Sequence, residues 1–290
     1  MRGFDEHPSA GTERTRLTEL LAAATSDLRA AGVESPRVDA ELLVAHVLGV
    51  HRGRLLLIDA VSDDDRRRFL GLVSERARRI PLQHLLGTAA FRHVELAVGD
   101  GVFVPRPETE LLAGWGIAAT RHGATVVDLC SGTGAIALAV DDEAAPGRVI
   151  AVERSPAALA YLRRNVAGSG VEVVAGDVTD PDLLAGLRGS VDVVLCNPPY
   201  VPDGTAVPPE VADHDPAEAV FGGADGLTVI RPVVALVAGL LRPGGVVGIE
   251  HDDVHATAVP DLLRADGRFT DVTGRADLTG RPRYATARRR

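Results

Sequence analysis

From Ala124 onward the sequence alternates short, valine-rich apolar runs with longer segments of helical spacing, and few folds accept that rhythm. The runs cover residues 125–129, 148–152, 171–175, 191–196 and 246–250. Apolar strands separated by helices predict an α/β chain with a mostly parallel sheet covered on both faces. Open sheets of that kind bind ligands outside the carboxyl ends of their strands, near the point where strand order reverses. The residues just past each run are therefore where chemistry is expected.

The first part of the chain has a different period. Leu17, Leu20, Leu21, Ala24 and Leu28 recur at helical steps before Gly32, which predicts one amphipathic helix and its stop. Ser35 as cap and Pro36 at the first helical position open a second, with Leu42, Leu43, Val47 and Leu48 along it before Gly49. A third starts at Ser62 and turns Phe69, Leu72, Val73 and Ala77 inward. Residues 13–86 thus read as a small helical domain, preceded by a polar, aperiodic tail over 1–12. Over 87–107 the pattern becomes β-like, with runs at 91–98 and 102–104 around Gly99-Asp100-Gly101, a hairpin signal. Pro105 and Pro107 then deny a helical start until Glu108. This segment is expected to link the helical domain to a second domain over 108–290.

Composition narrows the chemistry. The 290 residues exceed one typical domain, and 46% of them are hydrophobic while only 3% are aromatic, so the core must rest on Ala, Val and Leu. A formal charge of -9 argues against bare nucleic acid as the main partner. All 31 basic residues are arginine, which removes Schiff-base, pyridoxal and Walker lysines from the possible mechanisms. Cys130 and Cys196 have no CxxC partner and read as buried thiols, with neither a disulfide framework nor a zinc site. His84, His93 and His251 lack metal-ligand spacing, His251-Asp252-Asp253 reads as a solvated helix start, and no metal is expected. Arg288-Arg289-Arg290 reads as a solvated end. No run suits a membrane span or a signal-peptide core, so a cytoplasmic location is expected.

The first strand of the alternating region runs into Asp128-Leu129-Cys130-Ser131-Gly132-Thr133-Gly134 and then a helical Ala135-Ile136-Ala137-Leu138. Glycines there let backbone approach a ligand closely, and the helix start offers free amides. By itself such a turn could equally serve a dinucleotide or no ligand. The second strand ends in Glu153, about twenty residues on, where a carboxylate can take both hydroxyls of a ribose. The third ends in Gly176-Asp177. A dinucleotide cradle written G-x-G-x-x-G would need a third glycine where this chain has Ile136 or Ala137. A cofactor without phosphates fits better, with Asp128, Glu153 and Asp177 at successive strand ends.

The fourth strand ends in Cys196-Asn197-Pro198-Pro199-Tyr200, the most specific motif in the chain. A planar amino or amide nitrogen is a poor nucleophile because its lone pair is delocalised. An enzyme that uses one must bind its hydrogens with acceptors and hold it in line with an electrophile. The Asn197 side-chain oxygen and the Pro198 carbonyl are two acceptors, and neither proline has an N–H to compete. Tyr200 offers a flat face for a planar group. Positioning should carry most of the catalysis, with no strong general base required.

Asn197-Pro198-Pro199-Tyr200 is similar to the signature of methyltransferases acting on planar nitrogens, which include adenine-modifying DNA enzymes and the glutamine methyltransferases of release factors. The resemblance to the latter, the PrmC/HemK family, covers nearly the whole chain. It takes in Pro81-Leu82-Gln83-His84-Leu85-Leu86-Gly87, Phe103-Val104-Pro105-Arg106-Pro107-Glu108-Thr109-Glu110, the Gly loop and Leu241-Arg242-Pro243-Gly244-Gly245. Arg106-Pro107-Glu108-Thr109-Glu110 is the discriminating stretch, since adenine methyltransferases do not share it.

The resemblance implies a seven-stranded Rossmann-like class I S-adenosylmethionine-dependent methyltransferase domain and a helical N-terminal domain that docks the substrate. That substrate would be a class I peptide chain release factor, methylated on the glutamine of its Gly-Gly-Gln motif by a monomer that needs neither nucleic acid nor membrane. Cys130, Ser131, Gly132, Thr133, Gly134, Glu153, Val178 beside Asp177, and Asn197 would line the cofactor. Asn197, Pro198 and Tyr200 would be catalytic, and Asn197 through Tyr200, with Pro199, Arg106 and Glu110, would hold the glutamine. Cys130-Ser131 replaces the Gly-Thr common in the family, a sterically mild change, and His214-Asp215-Pro216 replaces its Glu-Pro pair, so the substrate-side wall is expected to differ. A nucleic-acid adenine methyltransferase and a silent cofactor-binding module are the competing readings. The acidic charge counts against the first and the intact Asn-Pro-Pro-Tyr loop against the second.

Overall fold

The computed structural model describes residues 15–290, so the tail expected over 1–12 lies outside the described residues. The chain divides into two compact units, Met1–Leu86 and Gly87–Arg290. In the first unit, helices α1 (Leu17–Ala30), α2 (Pro36–Leu48), α3 (Asp63–Ala77) and α4 (Leu82–Leu86) accompany a short antiparallel pair, β1 (Thr15–Arg16) and β2 (Ala60–Val61). All five expected α1 residues are buried, together with Leu43, Val44, Phe69 and Val73 from the next two helices. Gly49 closes α2 in the left-handed conformation at φ 63°. Ser62 caps α3 by accepting the Asp65 N–H at 3.2 Å, whereas Ser35 makes no side-chain cap bond. Inside this apolar core, the Asp39 carboxylate pairs with Arg76 Nε at 2.8 Å, with both side chains about nine-tenths buried.

The second unit opens with the hairpin β3 (Thr88–Phe91) and β4 (Val94–Ala97). Its turn is Arg92-His93, not the glycine cluster at residues 99–101 on which the sequence reading centred it. Arg92 takes φ 51° without being glycine. Three contacts hold it there: Nε and Nη2 each bond the Glu143 carboxylate at 2.6 Å, and its N–H donates to Glu110 Oε1 at 3.0 Å. The segment expected to act as a linker contributes Phe91, Leu96, Val98, Val102 and Val104 to the core of this unit. It is a packed part of the second unit, because its alternating apolar positions have a helix layer to bury against.

After the two prolines comes α5 (Thr109–Ala119), followed by the alternating elements: β5 (Thr125–Leu129), α6 (Ala135–Ala144), β6 (Arg148–Glu153), α7 (Pro156–Asn165), β7 (Val171–Ala175) and β8 (Val191–Cys196). Then follow α8 (Pro209–His214), α9 (Ala217–Val220), α10 (Ile230–Leu240), β9 (Leu241–Glu250), α11 (Ala258–Ala265), β10 (Phe269–Ala276) and β11 (Pro282–Arg289). The seven-stranded sheet has the order β10-β11-β9-β8-β5-β6-β7, parallel from β9 to β7 and antiparallel at β10 and β11. Its two faces follow the period of two along each strand. Val126, Val149 and Val193 pack with α5, α6, α7 and the hairpin, whereas Val127, Ile150, Val194 and Val247 pack with α10 and α11. This is the class I methyltransferase architecture.

Of two expectations about the last part of the chain, one changes and one holds in part. Arg288 and Arg289 belong to β11, and Arg289 Nε and Arg290 Nε donate to the carbonyls of Ala238 and Phe269, both at 3.0 Å, so the expected solvated end is a paired sheet strand. His251 is fully buried, and Asp252 caps a short 3-10 turn by accepting the Val254 N–H at 3.1 Å. Asp252 is half-buried and Asp253 exposed, so the string does open a helical turn in contact with solvent, with its histidine buried.

The Asp39–Arg76 pair makes a test of the helical unit. Removing one partner leaves a buried charge unpaired, so Asp39→Ala is expected to cost about 3–5 kcal/mol, while Asp39→Leu with Arg76→Leu costs far less. Urea unfolding of the full chain checks this, and a single variant no less stable than the double one would overturn it.

Candidate active site

All five parallel strands point their carboxyl ends the same way, and strand order reverses between β5 and β8. The loops leaving β5, β6, β7 and β8 border one cavity of about 310 Å³, at the lower end of the roughly 300–1,000 Å³ typical of cofactor sites. On one side it is lined by Cys130, Ser131, Gly132, Thr133, Glu153, Asp177 and Val178. On the other it is lined by Asn197, Pro198, Pro199, Tyr200 and Arg106. Three expected site residues, Asp128, Gly134 and Glu110, do not line it.

The Gly loop is bent by three residues in the left-handed region, Cys130 at φ 60°, Gly132 at 54° and Gly134 at 85°. At Cys130 a side chain occupies backbone that suits glycine, a strain of roughly 1–2 kcal/mol, so the replacement is less mild than its size suggests. At Gly134 a Cβ would stand 2.6 Å from Leu162 Cδ1, so close packing against α7 requires a glycine there. Asp128 is 1% exposed and accepts the Ala137 N–H at 3.2 Å, fixing the first turn of α6 behind the loop. The loop is tied further by Ser131, whose N–H donates to the Val152 carbonyl at 3.0 Å and whose hydroxyl donates to the Asp128 carbonyl at 2.9 Å.

Glu153 is held by backbone amides. Oε1 accepts the N–H groups of Arg154 and Ser155, both at 2.7 Å, and Oε2 accepts that of Gly132 at 2.9 Å. Each carboxylate oxygen has two lone-pair directions, so Oε1 is saturated and Oε2 keeps one for a ligand hydroxyl. Asp177 Oδ1 accepts both the N–H and the hydroxyl of Thr179 at 2.8 Å, contacts that hold its carboxyl below the usual range. It is an ionised acceptor at the rim.

On the opposite side, Asn197 Nδ2 donates to Thr109 Oγ1 at 3.2 Å, and the Tyr200 hydroxyl donates to Glu250 Oε1 at 3.1 Å. Burial keeps the Tyr200 phenol protonated, its pKa pushed well up, so Tyr200 brings a ring to the cavity and a donor to the interior. The loop is braced by the Gly222–Gly226 segment: Gly222 N–H donates to the Val201 carbonyl at 2.9 Å, and a Cβ at Gly226 would lie 2.3 Å from the Tyr200 carbonyl. Arg106 stacks over Phe103 at 4.8 Å and pairs with Asp215, whose side chain is fully buried. The residue that departs from the family pattern is thus the counter-ion of the arginine in the discriminating stretch. Glu110 sits elsewhere, holding Arg92 at the hairpin turn.

Sequence reasoning gave no part in this site to Glu250 or Asn165, and named Thr109 and Asp215 only within longer stretches, without their partners Asn197 and Arg106. Asn165 joins β4 to the Gly loop, accepting Ala97 N–H at 2.8 Å and donating to the carbonyls of Ala97 and Thr133 at 3.1 and 3.0 Å. A polar residue at the end of an apolar strand, as Glu250 is, was the one local signal available.

Burial pushes the carboxyls of Asp128 and Glu250 up to about 7. Between roughly pH 4 and 7 the folded chain then holds protons that the unfolded chain has released, so stability from these groups is greatest in acid and is lost as pH rises through that window. Asp128→Asn keeps an oxygen for the Ala137 N–H and removes the ionisation. From about pH 5.5 to about pH 8 the melting temperature of the wild type should drop further than that of Asp128→Asn. Calorimetric scans at both pH values check this, and equal drops would place the proton elsewhere.

Comparison with known proteins agrees with this geometry. The PrmC N-terminal domain family matches residues 19–87 and the Methyltransferase small domain family matches residues 109–214. A release factor glutamine methyltransferase of Mycolicibacterium smegmatis is 58% identical over 276 residues, covering 95% of this chain and 98% of that protein. Proteins of the same name from Mycobacterium tuberculosis and Deinococcus radiodurans are 48% and 41% identical, each over 94% of this chain and over 91% and 99% of their own lengths. Likeness at that level over the helical unit and the sheet alike means that this chain belongs to the release factor glutamine methyltransferase family.

Proposed function

We propose that this protein transfers a methyl group from S-adenosylmethionine to the side-chain amide nitrogen of the glutamine in the Gly-Gly-Gln motif of class I peptide chain release factors. The observation that carries this reading is one cavity bordered both by acidic strand ends suited to a nucleoside and by a loop of acceptors suited to an amide NH2. The donor set fits that cofactor: Glu153 Oε2 has one free direction for a ribose hydroxyl, and Asp177 is an ionised acceptor for an amino group. Cys130, Ser131, Gly132, Thr133 and Val178 supply the surrounding surface. When bound, S-adenosylmethionine supplies an electrophilic methyl group on a positively charged sulfur.

The protein's part is to present the nitrogen. Asn197 Oδ1 and the Pro198 carbonyl accept the two amide hydrogens, and Pro198 and Pro199 have no N–H to interfere. Tyr200 and Pro199 confine the planar amide. Holding two reactants in line recovers on the order of 7–11 kcal/mol of barrier. The helical unit is the docking element, and its binding energy is spent on positioning the glutamine.

Three outcomes follow from this assignment. Glu153→Ala should weaken S-adenosylmethionine binding by about 1–3 kcal/mol, read by titration calorimetry, and an unchanged affinity would remove Glu153 from the site. Asn197→Ala should lower turnover about a hundredfold or more while the cofactor still binds. Incubated with cofactor, an intact class I release factor should gain a single methyl on its Gly-Gly-Gln glutamine by mass spectrometry, far faster than a short peptide with that motif. A release factor left unmodified under conditions where cofactor is bound would overturn the assignment.

A further inference from the structure

The chain has two cysteines, both free thiols, and the sheet brings them to the roots of two neighbouring loops. Leu129 is the register partner of Cys196 across the β5–β8 pair, and Cys130 is the next residue after it. A step of about 3.8 Å along one strand and about 4.8 Å across to the next, taken at right angles, separates their Cα atoms by about 6 Å, inside the roughly 4.4–6.8 Å over which a disulfide closes. Alternation along β5 puts Val127 and Leu129 on the face that also holds Val194 and Cys196, and would turn residue 130 to the other face. Cys130 is instead in the left-handed region at φ 60° and packs against the apolar cluster on the Cys196 face. The bend that opens the Gly loop therefore sets both thiols on one side of the sheet.

The two thiols differ in access. Cys196 is 0% exposed and lies in the core, whereas Cys130 is half-buried and lines the cavity. A small solute in the cavity reaches Cys130 and not Cys196. Burial above all, and Cys130 after it, pushes the Cys196 thiol well up, so Cys196 stays protonated and unreactive on its own. We propose that Cys130 is an oxidative modification site: hydrogen peroxide entering the cavity oxidises it, and Cys196 then closes a disulfide that ties the Gly loop to the root of the Asn-Pro-Pro-Tyr loop.

The Cys130 sulfur attacks one peroxide oxygen, the O–O bond breaks, and the departing hydroxide takes the thiol proton as water, leaving a sulfenic acid. The Cys196 sulfur then attacks the Cys130 sulfur, the S–O bond breaks, and the second hydroxide leaves as water with the Cys196 proton. The pair of thiols gives up two electrons, and one hydrogen peroxide is reduced to two waters. A second thiol at hand favours this ending over further oxidation of Cys130. The new bond draws the Cys130 side chain from the cavity wall toward β8. It does so at the head of a loop pinned by the Ser131 N–H on the Val152 carbonyl and the Gly132 N–H on Glu153. A cofactor that uses this wall is then bound less well.

Peptide mapping of the full-length protein after hydrogen peroxide treatment tests this. Without reductant, Cys130 should be found joined to Cys196 within one chain, and dithiothreitol should part them. In Cys196→Ala, Cys130 should go on to the sulfinic acid, whereas in Cys130→Gly, which suits the left-handed backbone, Cys196 should stay a thiol. Saturating S-adenosylmethionine should slow disulfide formation about fivefold or more by filling the cavity. The oxidised protein should bind that cofactor about fivefold or more weakly until it is reduced. A wild type that stops at the sulfinic acid, disulfides only between chains, or oxidation of Cys196 in Cys130→Gly would each overturn the assignment. So would cofactor that binds the reduced protein without slowing oxidation, or that binds the oxidised protein equally well. The two cofactor measurements rest on the reading of the cavity as the S-adenosylmethionine site. A reduced protein that binds no S-adenosylmethionine would overturn that reading instead, and the mapping of the wild type, which needs neither cofactor nor variant, still decides the disulfide.

Discussion

The parallel pairing of β5 with β8 is the constraint on which the site depends. Its register sets Val126 opposite Val193 and Leu129 opposite Cys196, so both strands end at the same level. The chain after β5 has to bend back into α6, and the chain after β8 has to leave over the sheet edge. The Gly loop and the Asn-Pro-Pro-Tyr loop are thereby forced side by side, although 62 residues and two further strands separate Cys196 from Gly134 in the chain. A slip of one residue would exchange the helix layers that the side chains of the slipped strand meet. Close packing of Val127, Ile150 and Val194 against α10 protects that register.

Buried polarity then gives the crevice its detail. Asp128 and Glu250 end neighbouring regions of the same sheet, and both are sealed from water. Neither carboxylate meets the cavity directly. Asp128 holds the helix that shapes the Gly loop, and Glu250 anchors Tyr200 behind the Asn-Pro-Pro-Tyr loop. Ionised groups in such places are costly unless several donors converge on them. That cost is tolerated where orientation matters more than stability, and here each carboxyl stands behind a loop that borders the cavity.

The substrate side shows how a local departure can be absorbed. Asp215 is buried and ion-paired with Arg106, which also lies on the Phe103 ring. One face of the wall is therefore stiffened by a charge pair, with Pro216 and Val211 beside it in the lining. Arg106 reaches the cavity with its charge already partnered.

The central strands were legible because a parallel strand buried on both faces is apolar throughout, and that pattern needs no knowledge of its neighbours. The same holds for the first three helices, for the Gly loop and for the acceptor character of Asn197-Pro198. The hairpin turn was not legible, since Arg92 takes a glycine-like conformation that only Glu143 and Glu110 make stable. The antiparallel pair β10 and β11 was missed because its strands mix Arg, Thr and Gly with few apolar residues, and most of β10 faces solvent. Asn197 meets Thr109 across 88 residues of chain, and Arg106 meets Asp215 across 109. No local pattern encodes such pairs. The amino-acid sequence by itself determined which backbone ends could bind a nucleoside and an amide. Only the tertiary structure decided which buried carboxylates stand behind them, because a polar side chain states its own capacity for hydrogen bonding but not the partner that burial will bring to it.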